Sequence, residues 1–126
     1  MMQRIPLGCS EVSASRIVFG TMAIGGAGHD EQRRIDTIRA AIEAGVTCID
    51  TAPLYDLGRC EETVGRAVAG IRDPIQIFTK VGLRWDDPHG DVMFTTRDES
   101  GREIAVRRNS RPDSVRIEVE RSLQRI

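Results

Sequence analysis

A chain of 126 residues with formal net charge −1, 40% hydrophobic and 29% charged, is long enough for one domain with a buried core. The near-neutral balance removes any general electrostatic basis for binding nucleic acid or an anionic membrane surface, and no apolar run is long enough to span a bilayer. Cys9, Cys48 and Cys60 are odd in number and widely spaced, which suits reduced thiols in a cytoplasm better than a disulfide framework or a metal site. The opening "MMQRIPLGCSEVSAS" also lacks the apolar core of a secretory leader.

In chain order, "RIPLGCSEVSA" alternates weakly around a Gly-Cys-Ser turn and predicts a short hairpin. "RIVFG" predicts a strand running into the glycine-rich "GTMAIGGAGHD". "DEQRRIDTIRAAIEAG" predicts a helix, with Ile35, Ile38, Ala41 and Ile42 at helical spacing, Asp30 as N-cap and Gly45 just past the C-terminus. The alternation then repeats: strand "VTCID", helix "GRCEETVGRAVAG" with Cys60, Val64, Ala67 and Val68 on one stripe, and strand "PIQIFTKVG". From about Val81 to Ser110 a long segment has a hairpin-like centre, and because six arginines are matched by six acids between Val81 and Pro112 it reads as a solvated flap. "RPDSVRIEVERSLQRI" closes the chain as a helix with Val115, Val119, Leu123 and Ile126 on one side.

Strands beginning near Ile17, Thr47 and Ile75, with helices between them, are the pattern of βαβ units and a parallel sheet. Parity assigns Ile17, Phe19, Ile49, Ile75 and Ile77 to one apolar face. The opposite face receives Val18, Gly20, Cys48, Asp50, Gln76, Phe78 and Lys80. A doubly wound sheet needs bulky aliphatics on both faces. One apolar face and one mixed face with a polar end indicate a barrel-like sheet.

Lys80 is the sole lysine among 18 basic residues, and Tyr55 is the sole tyrosine. Asp50 and Lys80 end neighbouring strands on the same face, and Tyr55 follows Asp50 by five residues in the loop "TAPLYDLG". The carboxyl ends of strands in (β/α) architecture are where active sites form. A purely structural reading makes Asp50 and Lys80 a buried ion pair with Tyr55 as a loop anchor. The chemical reading is a tuned phenol: an ammonium about 4 Å away at an effective dielectric near 20 is worth ~4 kcal/mol, at most roughly three pKa units. In that reading Asp50 holds the ammonium in place, and a narrow site favours lysine over the wide guanidinium fork.

"FGT", "IDTAPLY", "GRCEETVGRAV" and "IFTKVG" resemble, in order and spacing, segments of the bacterial aldo-keto reductases, and "SVRIEVERSLQRI" is similar to a helix of that family. The resemblance implies a partial (β/α)8 TIM barrel, in which residues 1–126 form the first three βα units preceded by a short N-terminal β-hairpin. It also implies hydride transfer from a reduced nicotinamide, NADPH with NADH not excluded, to a small aldehyde or ketone. Carried over by position, Tyr55 would be the general acid, Lys80 would lower its pKa and Asp50 would orient Lys80. Gly20, Thr21, Met22 and Asp50 would lie beside the nicotinamide, and no metal is implied. Departures from the family pattern fall at Met22, Asp56 and Cys60, and they bear on pocket shape more than on chemistry.

A complete barrel takes ~250 residues. The family's carbonyl-polarising histidine lies on the strand after this segment, so the chain alone is expected to be inactive, with open sheet edges that favour self-association. His29 and His89, both in loops, are the two histidines available as substitutes, and Trp85 suits either a pocket wall or a pin for the long flap. Two alternatives stand beside the enzyme reading. One is a non-catalytic accessory relative. The other is a Rossmann-type dinucleotide domain, disfavoured because Glu31 occupies the place of the third fingerprint glycine.

Overall fold

A computed structural model describes residues 1–26, 28 and 30–126. Strands β1 (Arg4–Pro6) and β2 (Ser13–Ser15) form the expected antiparallel hairpin, in register Arg4↔Ser15. Its turn uses Gly8 at φ 60, a backbone conformation that glycine adopts without steric cost. Ser15 anchors the hairpin to the next unit: its amide donates to Thr47 Oγ1 (3.0 Å), and Thr47 N–H donates back to Ser15 Oγ (2.9 Å).

Three short parallel strands, β3 (Val18–Gly20), β4 (Cys48–Asp50) and β5 (Gln76–Phe78), pair in sequential order. Val18, Cys48 and Gln76 share one rung, Phe19, Ile49 and Ile77 the next, and Gly20, Asp50 and Phe78 the last. Helices α1 (Glu31–Glu43) and α2 (Arg59–Val68) fill the crossovers. Asp30 caps α1 by accepting from Arg33 N–H, and Gly45, at φ 96, follows the C-cap.

The core lies between these two helices and one sheet face. Ile35, Ile38, Ile49, Val64, Ala67, Val68 and Ile75 are buried together, with Phe19, Ile42 and Ile77 packed against them. Full burial of each large aliphatic is worth about 1.5–3 kcal/mol, so this face dominates the stability of the unit. Ile17 departs from the parity expectation. It precedes β3 and is 59% exposed.

The segment after β5 is more structured than a solvated flap. Strands β6 (Leu83–Arg84), β7 (Asp91–Arg97) and β8 (Glu103–Arg108) form an antiparallel sheet ordered β6-β8-β7, with an irregularity between Val92 and Phe94. Asp98 organises the hairpin tip by accepting from the amides of Ser100 (3.0 Å) and Arg102 (2.9 Å). Val106 and Arg84 are buried, so the sheet has a packed side.

Helix α3 (Pro112–Arg125) forms where the sequence places it. Its apolar stripe is not its packed side: Val119 is 43% exposed and Leu123 74%, whereas Ser114, Glu118 and Ser122 are buried. Polar bonds set this rotation. Gly82 N–H donates to both Glu118 oxygens (3.0 and 3.1 Å), and Arg84 Nη1 donates to Ser114 Oγ (3.2 Å). Burial raises the Glu118 pKa above the ordinary carboxylate range, opposed by the Gly82 amide. The strands do not close into a barrel among the described residues, and none of the described helices is long and apolar enough to cross a membrane.

Candidate active site

The last rung of the parallel sheet builds the site. Gly20 and Asp50 are register partners, and Asp50 in turn pairs with Phe78, two residues before Lys80. Parallel pairing therefore carries Asp50 and Lys80 to the same sheet end and the same face, as their parity requires.

The Lys80 ammonium donates to Asp50 Oδ1 (3.0 Å), Asp50 Oδ2 (2.9 Å) and the Thr51 carbonyl (2.8 Å). It also sits 5.0 Å from the centre of the Tyr55 ring. The three residues singled out in the sequence thus meet. Desolvation works against the charged amine, but hydrogen bonding and attraction from Asp50 and Tyr55 outweigh it, and the Lys80 pKa is held above its ordinary value. Within residues 1–126 the site is open on one side: the Lys80 side chain is 48% exposed and that of Asp50 38%. Solvent access and the carboxylate that Lys80 bonds through both oxygens weaken the field at the phenol below the ~4 kcal/mol expected at a protein-like dielectric.

Thr51 was not anticipated. Its carbonyl takes the third lysine proton, and its hydroxyl accepts from Thr21 Oγ1 (2.9 Å), both threonines being fully buried. Thr21 N–H donates to the Asp50 carbonyl (2.9 Å), so this position braces the β3 and β4 ends through buried bonds. Met22 opens a short 3-10 turn, Met22–Ile24, and is 70% exposed. A Cβ built on Gly20 would meet nothing within 4 Å, so the space beside Asp50 is unfilled within residues 1–126.

Tyr55 opens a second 3-10 turn, Tyr55–Gly58, that feeds directly into α2. Asp56 (φ 53) and Leu57 (φ 51) both adopt the left-handed conformation, which is uncommon for any side chain and an outlier for leucine. Tyr55 stands between two cavities. An apolar one of about 280 Å³ is lined by Ala52, Pro53, Leu54, Lys80 and Leu83. A larger groove of about 760 Å³ runs from Met22 and Asp56 to Phe94 and Thr96 of β7. An ion pair between Arg59, at the start of α2, and Glu99, in the hairpin tip, fastens the far wall of that groove. Charge counting along 81–110 could not reveal this wall, because the pairing partner lies outside the segment.

The remaining candidates separate. His29 lies outside the described residues. His89 has a 67% exposed side chain bonded through Nδ1 to Asp87 (2.7 Å), and it lines neither cavity at Tyr55. Trp85 also lines neither; its ring lies 6.0 Å from the Arg125 guanidinium, a contact to α3 that fits a pin for the flap. Cys60 is buried behind the groove, and burial, with Asp56 next in effect, pushes its thiol up to about 11. That thiol remains protonated near neutrality, with Thr21 O within 3.7 Å of its sulfur.

Comparison with known proteins joins the fold to this geometry. The glycerol dehydrogenase of Gluconobacter oxydans superposes with TM-score 0.77 and 38% identity over 97% of this chain and 35% of its own. A holo aldo-keto reductase of Bacillus halodurans gives 0.78 and 30% over 99% of this chain and 36% of its own. In sequence, the NADH-specific methylglyoxal reductase of Escherichia coli (strain K12) is 37% identical over 131 residues, 99% of this chain and 38% of the relative. The chain therefore spans little more than a third of the length of these relatives, and its three βα units with their leading hairpin are a partial (β/α)8 barrel. With the sequence profile described as "Aldo/keto reductase family" matching residues 16–126, the chain belongs to the aldo/keto reductase family of oxidoreductases.

Proposed function

We propose that residues 1–126 form the N-terminal part of a barrel and supply the proton-donating side of a carbonyl reductase site, with Tyr55 as general acid, Lys80 as its ammonium partner and Asp50 as the anchor of Lys80. The observation that carries this reading is the position of the Lys80 ammonium, bonded to both Asp50 oxygens and 5.0 Å from the Tyr55 ring centre. When bound, a reduced nicotinamide supplies the hydride that reaches the carbonyl carbon. The open backbone at Gly20, next to Asp50, and the exposed Met22 fit the edge of such a ring, while Thr21 holds the two strand ends together.

Tyr55 passes its phenolic proton to the alkoxide oxygen as negative charge develops there, and Lys80 stabilises the phenolate left behind. Asp50 and the Thr51 carbonyl keep the ammonium in place through the step. Solvent returns the proton to Tyr55. The substrate is a small aldehyde or ketone entering through the groove beside Tyr55. The cofactor reading is NADPH, tested against NADH because one relative is named NADH-specific. The setting is cytoplasmic, in keeping with three free cysteines.

A chimera tests the chemistry. Residues 1–126 replace the aligned segment of the E. coli methylglyoxal reductase, and turnover is assayed with methylglyoxal and each nicotinamide. Tyr55→Phe is expected to lower kcat by about a hundredfold or more while leaving nicotinamide binding within about twofold. Unchanged turnover would overturn the assignment. The 126-residue chain alone is expected to show no turnover above background, because an open face lacks positioning and water exclusion; measurable nicotinamide oxidation by it would contradict that part.

A further inference from the structure

The left-handed pair Asp56–Leu57 follows Tyr55 directly, and something must hold it there. Each non-glycine residue in this conformation costs about 1–2 kcal/mol, and the loop's own bonds are few: Leu57 N–H donates to Leu54 O (3.3 Å), and the Arg59 amide donates to Asp56 and Tyr55 carbonyls. The strongest restraint comes from another element. Arg34 of α1, 6% exposed, donates from Nη1 to Asp56 Oδ2 (3.0 Å) and from Nη2 to the Gly26 carbonyl (2.5 Å). One buried guanidinium therefore joins the loop after β3 to the loop after β4. The two loops are in close contact at that point: a Cβ on Gly25 would lie 3.0 Å from Cys60 Sγ and 3.3 Å from Asp56 Cβ.

We propose that Arg34 is a positioning residue for Tyr55: by binding Asp56 and Gly26 it holds the left-handed kink against the first βα loop and so keeps the phenol ring on the Lys80 ammonium. The inference rests on the reading of Tyr55 and Lys80 given above. Asp56 supplies the carboxylate that makes the clamp, and aspartate tolerates the left-handed region better than most side chains. A guanidinium suits the task because it donates in two directions from one planar group.

The chain carries its own reporter, since with one tyrosine and one lysine any nuclear Overhauser cross-peak between the Tyr55 ring protons and the Lys80 ε-methylene is unambiguous in residue assignment. In the 126-residue protein this cross-peak is expected to be present. Arg34→Gln should reduce it about fivefold or more while the methyl shifts of Ile38 and Ile49 stay in place. Adding Asp56→Gly to Arg34→Gln should restore it, because glycine takes the left-handed conformation unaided; a merely structural loss would not be rescued there. Should Arg34→Gln fail to fold, Asp56→Ala gives the same reading from the more exposed partner, and it too should lose the cross-peak. Full intensity in Arg34→Gln, or in Asp56→Ala where it serves instead, overturns the clamp alone. Absence of the cross-peak from the unmodified protein overturns both the clamp and the functional reading beneath it.

Discussion

Thr79 and Lys80 are neighbours at the end of the same strand, yet they serve opposite faces of the sheet. Thr79 Oγ1 donates to Glu61 (2.6 Å), a fully buried carboxylate that also accepts from Arg125 (2.7 Å), on the side covered by helices. Lys80 bonds Asp50 on the uncovered side, where both partners are more than a third exposed. Two carboxylate–cation pairs, one residue apart in attachment, therefore differ chiefly in water. In the covered pair each Glu61 oxygen already has a donor, Thr79 Oγ1 on one and Arg125 Nη1 on the other. The uncovered pair is left accessible to solvent within residues 1–126.

The comparison can be broken most forcefully at Glu61. Glu61→Ala strands Arg125 and Thr79 against a buried void and is expected to cost about 3–5 kcal/mol, read from urea unfolding. A loss under about 1 kcal/mol would mean that the covered pair behaves like a surface one. The apolar layer sharpens the same contrast. Ile49→Ala, at a fully buried position, should cost about 2–5 kcal/mol. Val18→Ala, on the open face and 45% exposed, should cost under about 1 kcal/mol.

Thiol chemistry gives a third test. Cys9 is exposed, whereas Cys60 is buried with its thiol pushed up to about 11. At pH 8 a disulfide reagent should titrate Cys9 at least about a hundredfold faster than Cys60. Comparable rates would show that the region behind Tyr55 opens readily.

The smallest effect belongs to Asp50→Asn, which should cost under about 1 kcal/mol because the pair is solvated. Lys80, held above its ordinary value of 10.5, favours the folded state below that pH and loses its contribution as pH rises through the folded value. Asp50→Asn should flatten that alkaline decline, and an unchanged pH profile would contradict the direction given for Lys80.

Much of this was legible because parallel pairing is a strong rule. Parity along three short strands was enough to bring Asp50 and Lys80 to one face, and the spacing of Ile35, Ile38, Val64 and Val68 marked the core. Polar bonds between distant elements were not legible. The stripe of Val115, Val119 and Leu123 said nothing about Glu118, whose bond to Gly82 sets the rotation of α3. Nor does a sequence announce a left-handed aspartate, because the arginine that holds it lies 22 positions away.

The central claim is that the Lys80 ammonium is shared between Asp50 and Tyr55, and the titration of the single lysine by its ε-carbon resonance tests it most directly. The account expects a midpoint above the ordinary lysine value in the unmodified protein, falling in Tyr55→Phe and in Asp50→Asn. A midpoint at the ordinary value, indifferent to both substitutions, would contradict it.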